Sequence, residues 1–495
     1  MALLLAMLPL LVAMLMLVVL QRSGLQAGLA TVLTALLLVL FVPVFHLSFV
    51  LATQALGQGI AASLTVLYVL LPALWLYQVQ RVTGSIETLA RGISQLCPER
   101  DLQLLLLVIG VAPFVESVSG FGVGSVVIIP MLMALELEAM QAAVLGLFGQ
   151  IAVPWGALAV GTVLGAQITE LNANALSAHT ALLSLPVPCL FALLTLLLGG
   201  TRGALRRLWP IALAAGLLLA LGEWCFSLWV GVELAGVFAS IPVMILLIVV
   251  GRIGSGSKKA PIGQVHEQTL TTPQFFLAVA PYLILTLLLL LSRFVMPLQH
   301  WLQTTGVLSV DAIALHFQLL YNPGFFIFLT VLATLLLTKA SVAQAREAGV
   351  RTLRQFTPGA IAIASFLAAS QVMSNSGMIA VLGSAAATLG IGYGWVAPWL
   401  GALGGWITGS NAGGMALFAQ LQRATSLKAH LPVYWIVASQ NGADSIATMA
   451  APARVVLATT TAGLVGKEGH ILRKVALPVL CAIALIMFML MVIIR

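Results

Sequence analysis

Pro113-Phe114-Val115-Glu116-Ser117-Val118-Ser119-Gly120-Phe121-Gly122-Val123-Gly124-Ser125, closed by Pro130, interrupts an apolar block with one carboxylate and three alternating glycines. Each glycine costs a helix about 1 kcal/mol relative to alanine, so glycines at every second position favour an unwound, close-approach backbone. Val153-Pro154-Trp155-Gly156 marks a further break downstream. A second region has the same character: Trp406-Ile407-Thr408-Gly409-Ser410-Asn411-Ala412-Gly413-Gly414, then Ser439-Gln440-Asn441-Gly442-Ala443-Asp444 and Pro452. An offset of 290 residues carries Gly120 onto Ser410 and Pro154 onto Asp444. The first region follows a loop with Arg81, Arg91 and Arg100, whereas residues 376–394, before the second, carry no charge. That asymmetry is expected of an inverted-topology repeat.

The surroundings of these breaks set the fold class. Of 495 residues, 61% are hydrophobic and 7% charged, against about 25% charged in soluble domains. An ordinary soluble enzyme is excluded. In lipid every backbone polar group must be bonded internally, so apolar runs of about 20 residues read as membrane-spanning helices, and this chain supplies about 12 to 14 of them. We expect an all-α polytopic membrane protein with inverted repeats and re-entrant or broken helices. Residues 1–250 form an N-terminal half, with its break near 113–130. A polar cytoplasmic linker covers 251–272. The C-terminal half, 273–495, has its break near 406–454.

The net charge of +8 suits basic cytoplasmic loops, as the positive-inside rule requires, rather than nucleic acid. Arg22, Arg202, Arg206, Arg207, Arg252, Lys258, Lys259, Lys339, Arg346, Arg351, Arg354, Lys467, Arg473 and Lys474 all fall between apolar blocks. Met1–Leu20 lacks a basic opening and reads as a retained first helix rather than a cleaved signal. The four cysteines are scattered and show no metal, haem or disulfide spacing. His266-Glu267 has no histidine following at zinc-protease spacing, and residues 251–258 miss the phosphate-loop pattern by one position. No metal or cofactor is expected.

Interrupted apolar segments in both halves are the sequence mark of a transporter's mid-membrane site. Freed amides and helix N-termini there hold anions, which makes Gly120, Gly122, Ser410, Asn411 and Asn441 candidates for substrate binding. Charges within apolar blocks are costly and therefore informative. Burial favours the neutral form of a carboxyl, so Glu116 is a candidate proton carrier, and Asp444 a second. The alternative for Glu116 is a purely structural carboxylate held by serines and backbone amides. Arg454 can clasp a carboxylate with two parallel bonds. It either binds the substrate or forms a buried ion pair with Asp444. Both coupling ions stay open at this point: protons through the carboxyls, or sodium on the oxygens of Ser410, Asn411 and Asn441 with a dicarboxylate as cargo. No nucleophile–base pair at membrane depth suggests an enzyme, and the sequence is silent on oligomeric state.

At these motifs the chain resembles the lactate permease family. Glu116, Gly120, Phe121 and Gly122 match the family's first break. Gly409-Ser410-Asn411, then Ala416-Leu417-Phe418, correspond to its second, and Ser376-Gly377-Met378 and Gly463–Glu468 look like further family elements. The chain departs from the family at Gly124 (family Pro), Asn411 (Asp), Met415 (Asn) and residues 451–454. Thr448 stands where a family lysine is expected, so that Arg454 would carry the positive charge instead. The resemblance implies proton-coupled symport of L-lactate, D-lactate or glycolate across a bacterial inner membrane.

Overall fold

The computed structural model describes residues 1–20, 22–85, 88, 92, 97, 99–120, 122–254, 272–313 and 315–495. Arg91, Phe121 and most of the central linker, including Lys258, Lys259, His266 and Glu267, lie outside the described residues. Long apolar runs become helices, because in lipid only helices satisfy a single segment's backbone internally. In chain order these are α1 (Ala2–Met14), α2 (Gly24–Phe41), α3 (Phe49–Val82) and α4 (Arg100–Ser119). Next come α5 (Val123–Ala134), α6 (Ala139–Phe148, prolonged by a 3-10 turn at Gly149–Trp155), α7 (Gly156–Thr169), α8 (Ala173–Leu183) and α9 (Pro186–Gly199). Then α10 (Ala204–Trp229) and α11 (Val232–Gly254) lead to the linker. Beyond it lie α12 (Thr272–Phe294), α13 (Met296–Thr304), an antiparallel hairpin of β1 (Val307–Val310) and β2 (Leu315–Gln318), and α14 (Pro323–Leu337). The chain ends with α15 (Val342–Asn375), α16 (Met378–Ala387), α17 (Tyr393–Thr408), α18 (Asn411–Lys428), α19 (Val433–Ala447), α20 (Pro452–Thr461) and α21 (Glu468–Ile494). The β-hairpin carries no strong alternation in sequence and was not foreseen.

Among the described residues, eight helices are long and apolar enough to cross a membrane, eleven if each bent pair is one span, and three shorter apolar helices accompany them. Two of the bent pairs turn by 48° (Ala139–Trp155 with Leu158–Thr169, and Ala173–Leu183 with Pro186–Gly199) and the third by 107° (Met378–Ala387 with Gly390–Thr408), which are broken helices of the kind expected. Polar side chains start several helices by capping free amides: Ser23, Ser48 and Asn322 each accept a backbone N–H, and Ser341 forms a capping box with Gln344.

Small residues let the long helices touch backbone to backbone, as is usual where no hydrophobic force drives association in lipid. α3 and α15 pack most extensively, and Gly59 of α3 lies directly on the Ala368 backbone of α15. The outermost spans α2, α12 and α21 bury a third of their apolar windows, whereas α4 buries 94%. The outer faces present Leu33, Leu37, Leu283, Leu287 and Leu477 to lipid. α4, which carries Glu116, is wrapped in protein throughout.

Around the two breaks the chain repeats an order of elements. α4 ends at Gly120, which has a positive φ, α5 and α6 follow, and the 3-10 turn at Gly149–Trp155 leads into α7. α17 ends at the left-handed Gly409, α18 and α19 follow, and a 3-10 turn at Thr448–Ala450 leads into α20. The packing repeats as well: α4 lies on α5 and α5 on α6, as α17 lies on α18 and α18 on α19. The two runs interlock, with α7 packed on α18 and α20 on α5. Gly120 and Ser410, at the two breaks, are 290 residues apart.

Candidate functional site

The first break forms because Gly120 and Gly122 adopt positive φ (64° and 82°), which L side chains rarely tolerate. The turn points the amides of Gly122 and Gly124 back at α4. There they donate to Glu116 Oε1 (3.0 Å) and Oε2 (3.1 Å), holding a carboxylate that is 1% exposed. Gly124 allows this approach: a Cβ there would lie 2.7 Å from Ala112 O. The second break ends α17 at the left-handed Gly409, and Ser410 caps α18.

Arg454, two residues after Pro452 at the start of α20, joins the two breaks. Its Nε donates to Gly409 O (3.1 Å), and its Nη1 lies 3.6 Å from Glu116 Oε1. At 3.6 Å the pair has charge attraction without a hydrogen bond. Arg454 Nη1 accordingly has no hydrogen-bond partner among the described residues, although the side chain is 7% exposed. A buried donor left in this way is an unfilled demand for an acceptor.

Between the breaks lies a cavity with about 340 Å³ of empty space, its open mouth included. Glu116, Gly120 and Arg454 form one side; Ser410, Asn411 and Ala412 at the α18 N-terminus form another; Val153, Gly156, Val160 and Gly161 complete it. The first amides of α18 have no intrahelical partner, and with the helix dipole they favour an anion. α7 also begins at this cavity, so the N-termini of two helices meet there. Its start is strained: Leu158 and Ala159 hold φ of 62° and 63°, each costing about 1–2 kcal/mol for residues with a side chain. Three features therefore converge on one chemistry: a guanidinium with a free N–H, open helix amides and a small apolar wall all suit a small carboxylate.

The family model described as L-lactate permease matches residues 2–495. The chain belongs to the L-lactate permease family. It is 25% identical to a glycolate permease of Escherichia coli (strain K12), over 95% of this chain and 91% of that protein. It is 25% identical to an L-lactate permease of Streptococcus iniae, covering 75% of this chain and 80% of the relative. An L-lactate permease of Halalkalibacterium halodurans is 24% identical, covering 94% of this chain and 91% of the relative. This family member is a multi-pass membrane protein, with the spans described above.

Of the residues singled out in the sequence, Glu116, Gly120, Ser410, Asn411 and Arg454 line one cavity. Gly122 lies against Arg454 Nη1, and Asn441 sits one hydrogen bond behind Asn411 (Nδ2 to Oδ1, 3.0 Å). Asp444 is elsewhere. Its carboxylate is buried between Gly405 of α17 and Gly414 of α18, and neither oxygen has a hydrogen-bond partner among the described residues. The pairing of Arg454 with Asp444 is thus corrected to a pairing with Glu116. The 3-10 turn at Thr448–Ala450 separates the two residues and carries Arg454 away toward the first break. Thr448, where the family lysine was expected, is itself buried.

The sequence reading missed Val160, Gly161, Ala412, Thr162 and Thr180. Gly161 and Gly165 were detectable as a small-xxx-small pair; they make room for Asn411 and Met415 of α18. Thr162 and Thr180, which hydrogen-bond Asn441, gave no signal, because a threonine in an apolar helix usually bonds its own backbone.

Proposed function

We propose that this chain is a secondary active transporter that moves a small monocarboxylate, lactate or glycolate, with a proton across the bacterial inner membrane. The observation that carries the reading is the slack Glu116–Arg454 pair inside a cavity between two helix breaks. Ionised Glu116 competes with the substrate carboxylate for the guanidinium. Protonating Glu116 releases Arg454 to the substrate, so the anion and the proton load together. Emptying reverses both steps, and the returning carrier is again internally paired. Family relatives named as L-lactate and glycolate permeases support the choice of cargo.

The test is uptake of radiolabelled L-lactate by proteoliposomes, first under a pH gradient (outside acid) and then under a sodium gradient. Accumulation driven by the pH gradient alone is expected. Accumulation requiring sodium would overturn the coupling, and no uptake of lactate or glycolate under either gradient would overturn the cargo.

Gly122 supplies a second check. A Cβ there would collide with Arg454 Nη1 and would sit on a left-handed backbone. Gly122→Ala is therefore expected to lower uptake at least about tenfold, a loss of about 1.4 kcal/mol. Gly84 is also left-handed but has open space around it, so Gly84→Ala should leave uptake near wild type. Uptake near wild type in Gly122→Ala would separate the backbone of the first break from function.

A further inference from the structure

Behind the cavity a closed chain of hydrogen bonds fixes the orientation of one amide. Thr180 Oγ1 donates to Leu176 O (2.9 Å), and Thr162 Oγ1 donates to Pro154 O (2.6 Å), a contact much shorter than its 3.4 Å approach to Asn441 Oδ1. With their single hydrogens spent, both hydroxyls act as acceptors toward Asn441. Asn441 must therefore turn its Nδ2 to them, at 2.9 Å to Thr162 and 3.0 Å to Thr180. Its Oδ1 then faces Asn411, which must answer with Nδ2 (3.0 Å). Flipping either amide would set oxygen against oxygen, or cost two bonds to the threonines. Asn411 Oδ1 is thereby locked as a bare acceptor. It is buried, has no partner among the described residues, and belongs to a residue on the cavity wall.

Taking the proposed carboxylate transport as its basis, we infer that Asn411 Oδ1 accepts a hydrogen bond from the hydroxyl on the carbon next to the substrate carboxylate, making Asn411 the residue that selects 2-hydroxy acids. Asn411 is the first residue of α18, the same helix end whose amides face the carboxylate, so it lies within reach of the neighbouring carbon. An acid without the hydroxyl leaves a buried acceptor unpaired. A 2-oxo acid is worse, because its carbonyl oxygen opposes Oδ1. Val153, Val160 and Ala412 offer only apolar contact to the remaining carbon, which accommodates glycolate and lactate alike.

The test is calorimetric binding of L-lactate, glycolate, propionate, 3-hydroxypropionate and pyruvate to the full-length, detergent-purified wild-type protein. Lactate and glycolate are expected to bind about 100-fold more tightly than propionate, 3-hydroxypropionate or pyruvate, the scale of one unsatisfied buried polar group. Asn411→Ala is expected to shrink the lactate-to-propionate ratio to within about threefold. Propionate binding within about threefold of lactate in the wild type would overturn the inference and leave carboxylate transport standing. Absence of binding by any monocarboxylate would overturn both. A lactate-to-propionate ratio unchanged in Asn411→Ala, purified as a monodisperse protein, would also overturn it, and an unselective wild-type series does so whether or not the variant folds.

Discussion

Arg454→Lys is expected to raise the KM for L-lactate about 10- to 100-fold, and Arg454→Gln to remove measurable uptake. The guanidinium is held at two points, by Gly409 O through Nε and by the Glu116 charge near Nη1. A lysine ammonium keeps the charge. It has no planar fork, however, so it cannot hold Gly409 and a carboxylate in one rigid geometry. Removing the charge altogether also strands Glu116, at a cost of about 3–5 kcal/mol for a broken buried pair, so Arg454→Gln by itself mixes loss of binding with loss of stability. The double substitution Glu116→Gln with Arg454→Gln separates them, because no lone charge remains. It is expected to purify as a monodisperse, folded protein and to stay inactive in uptake. Recovered uptake in the double variant would mean that the guanidinium serves only to neutralise Glu116. An unchanged KM in Arg454→Lys would exclude a bidentate role.

That experiment turns on a contact the sequence did not reveal, and the reason is physical. Glu116 was legible because a carboxylate in an apolar block is expensive and therefore rare. The breaks were legible because glycine and proline punctuate helices whatever surrounds them. Each is a local property. The partner of Glu116 is not: Arg454 stands far along the chain, with a carboxylate nearer in sequence, Asp444. Only the 3-10 turn at Thr448–Ala450 and the packing of α20 against α5 and α6 bring it to the first break. The breaks themselves sit where glycine ends a helix: Gly120 closes α4 and Gly409 closes α17, each at positive φ. The hydroxyl partners Thr162 and Thr180 were illegible because their roles arise from packing between α7, α8 and α19.

Glu116→Gln is expected to abolish accumulation of L-lactate under a pH gradient while preserving lactate exchange between preloaded vesicles and the bath. Glutamine is neutral, as the protonated carboxyl is, so Arg454 stays available to the substrate and the carrier can shuttle loaded. It binds no proton, so the gradient has nothing to act on. The pH dependence gives the sign. In the wild type, ionised Glu116 holds the guanidinium, so KM should rise as pH increases and the carboxyl loses its proton. In Glu116→Gln, KM should be flat across the same range. The substitution has a structural cost, because an amide has one acceptor oxygen for the two N–H groups of Gly122 and Gly124, and one buried donor left unmet costs about 1–3 kcal/mol. Exchange measures that cost directly: a variant that still exchanges lactate has kept its first break. Loss of exchange together with accumulation would assign Glu116 to holding the break rather than to carrying the proton. Undiminished accumulation would move the proton to another group, and Asp444, buried between α17 and α18 with no hydrogen-bond partner for its carboxylate among the described residues, would be the carboxyl to substitute next.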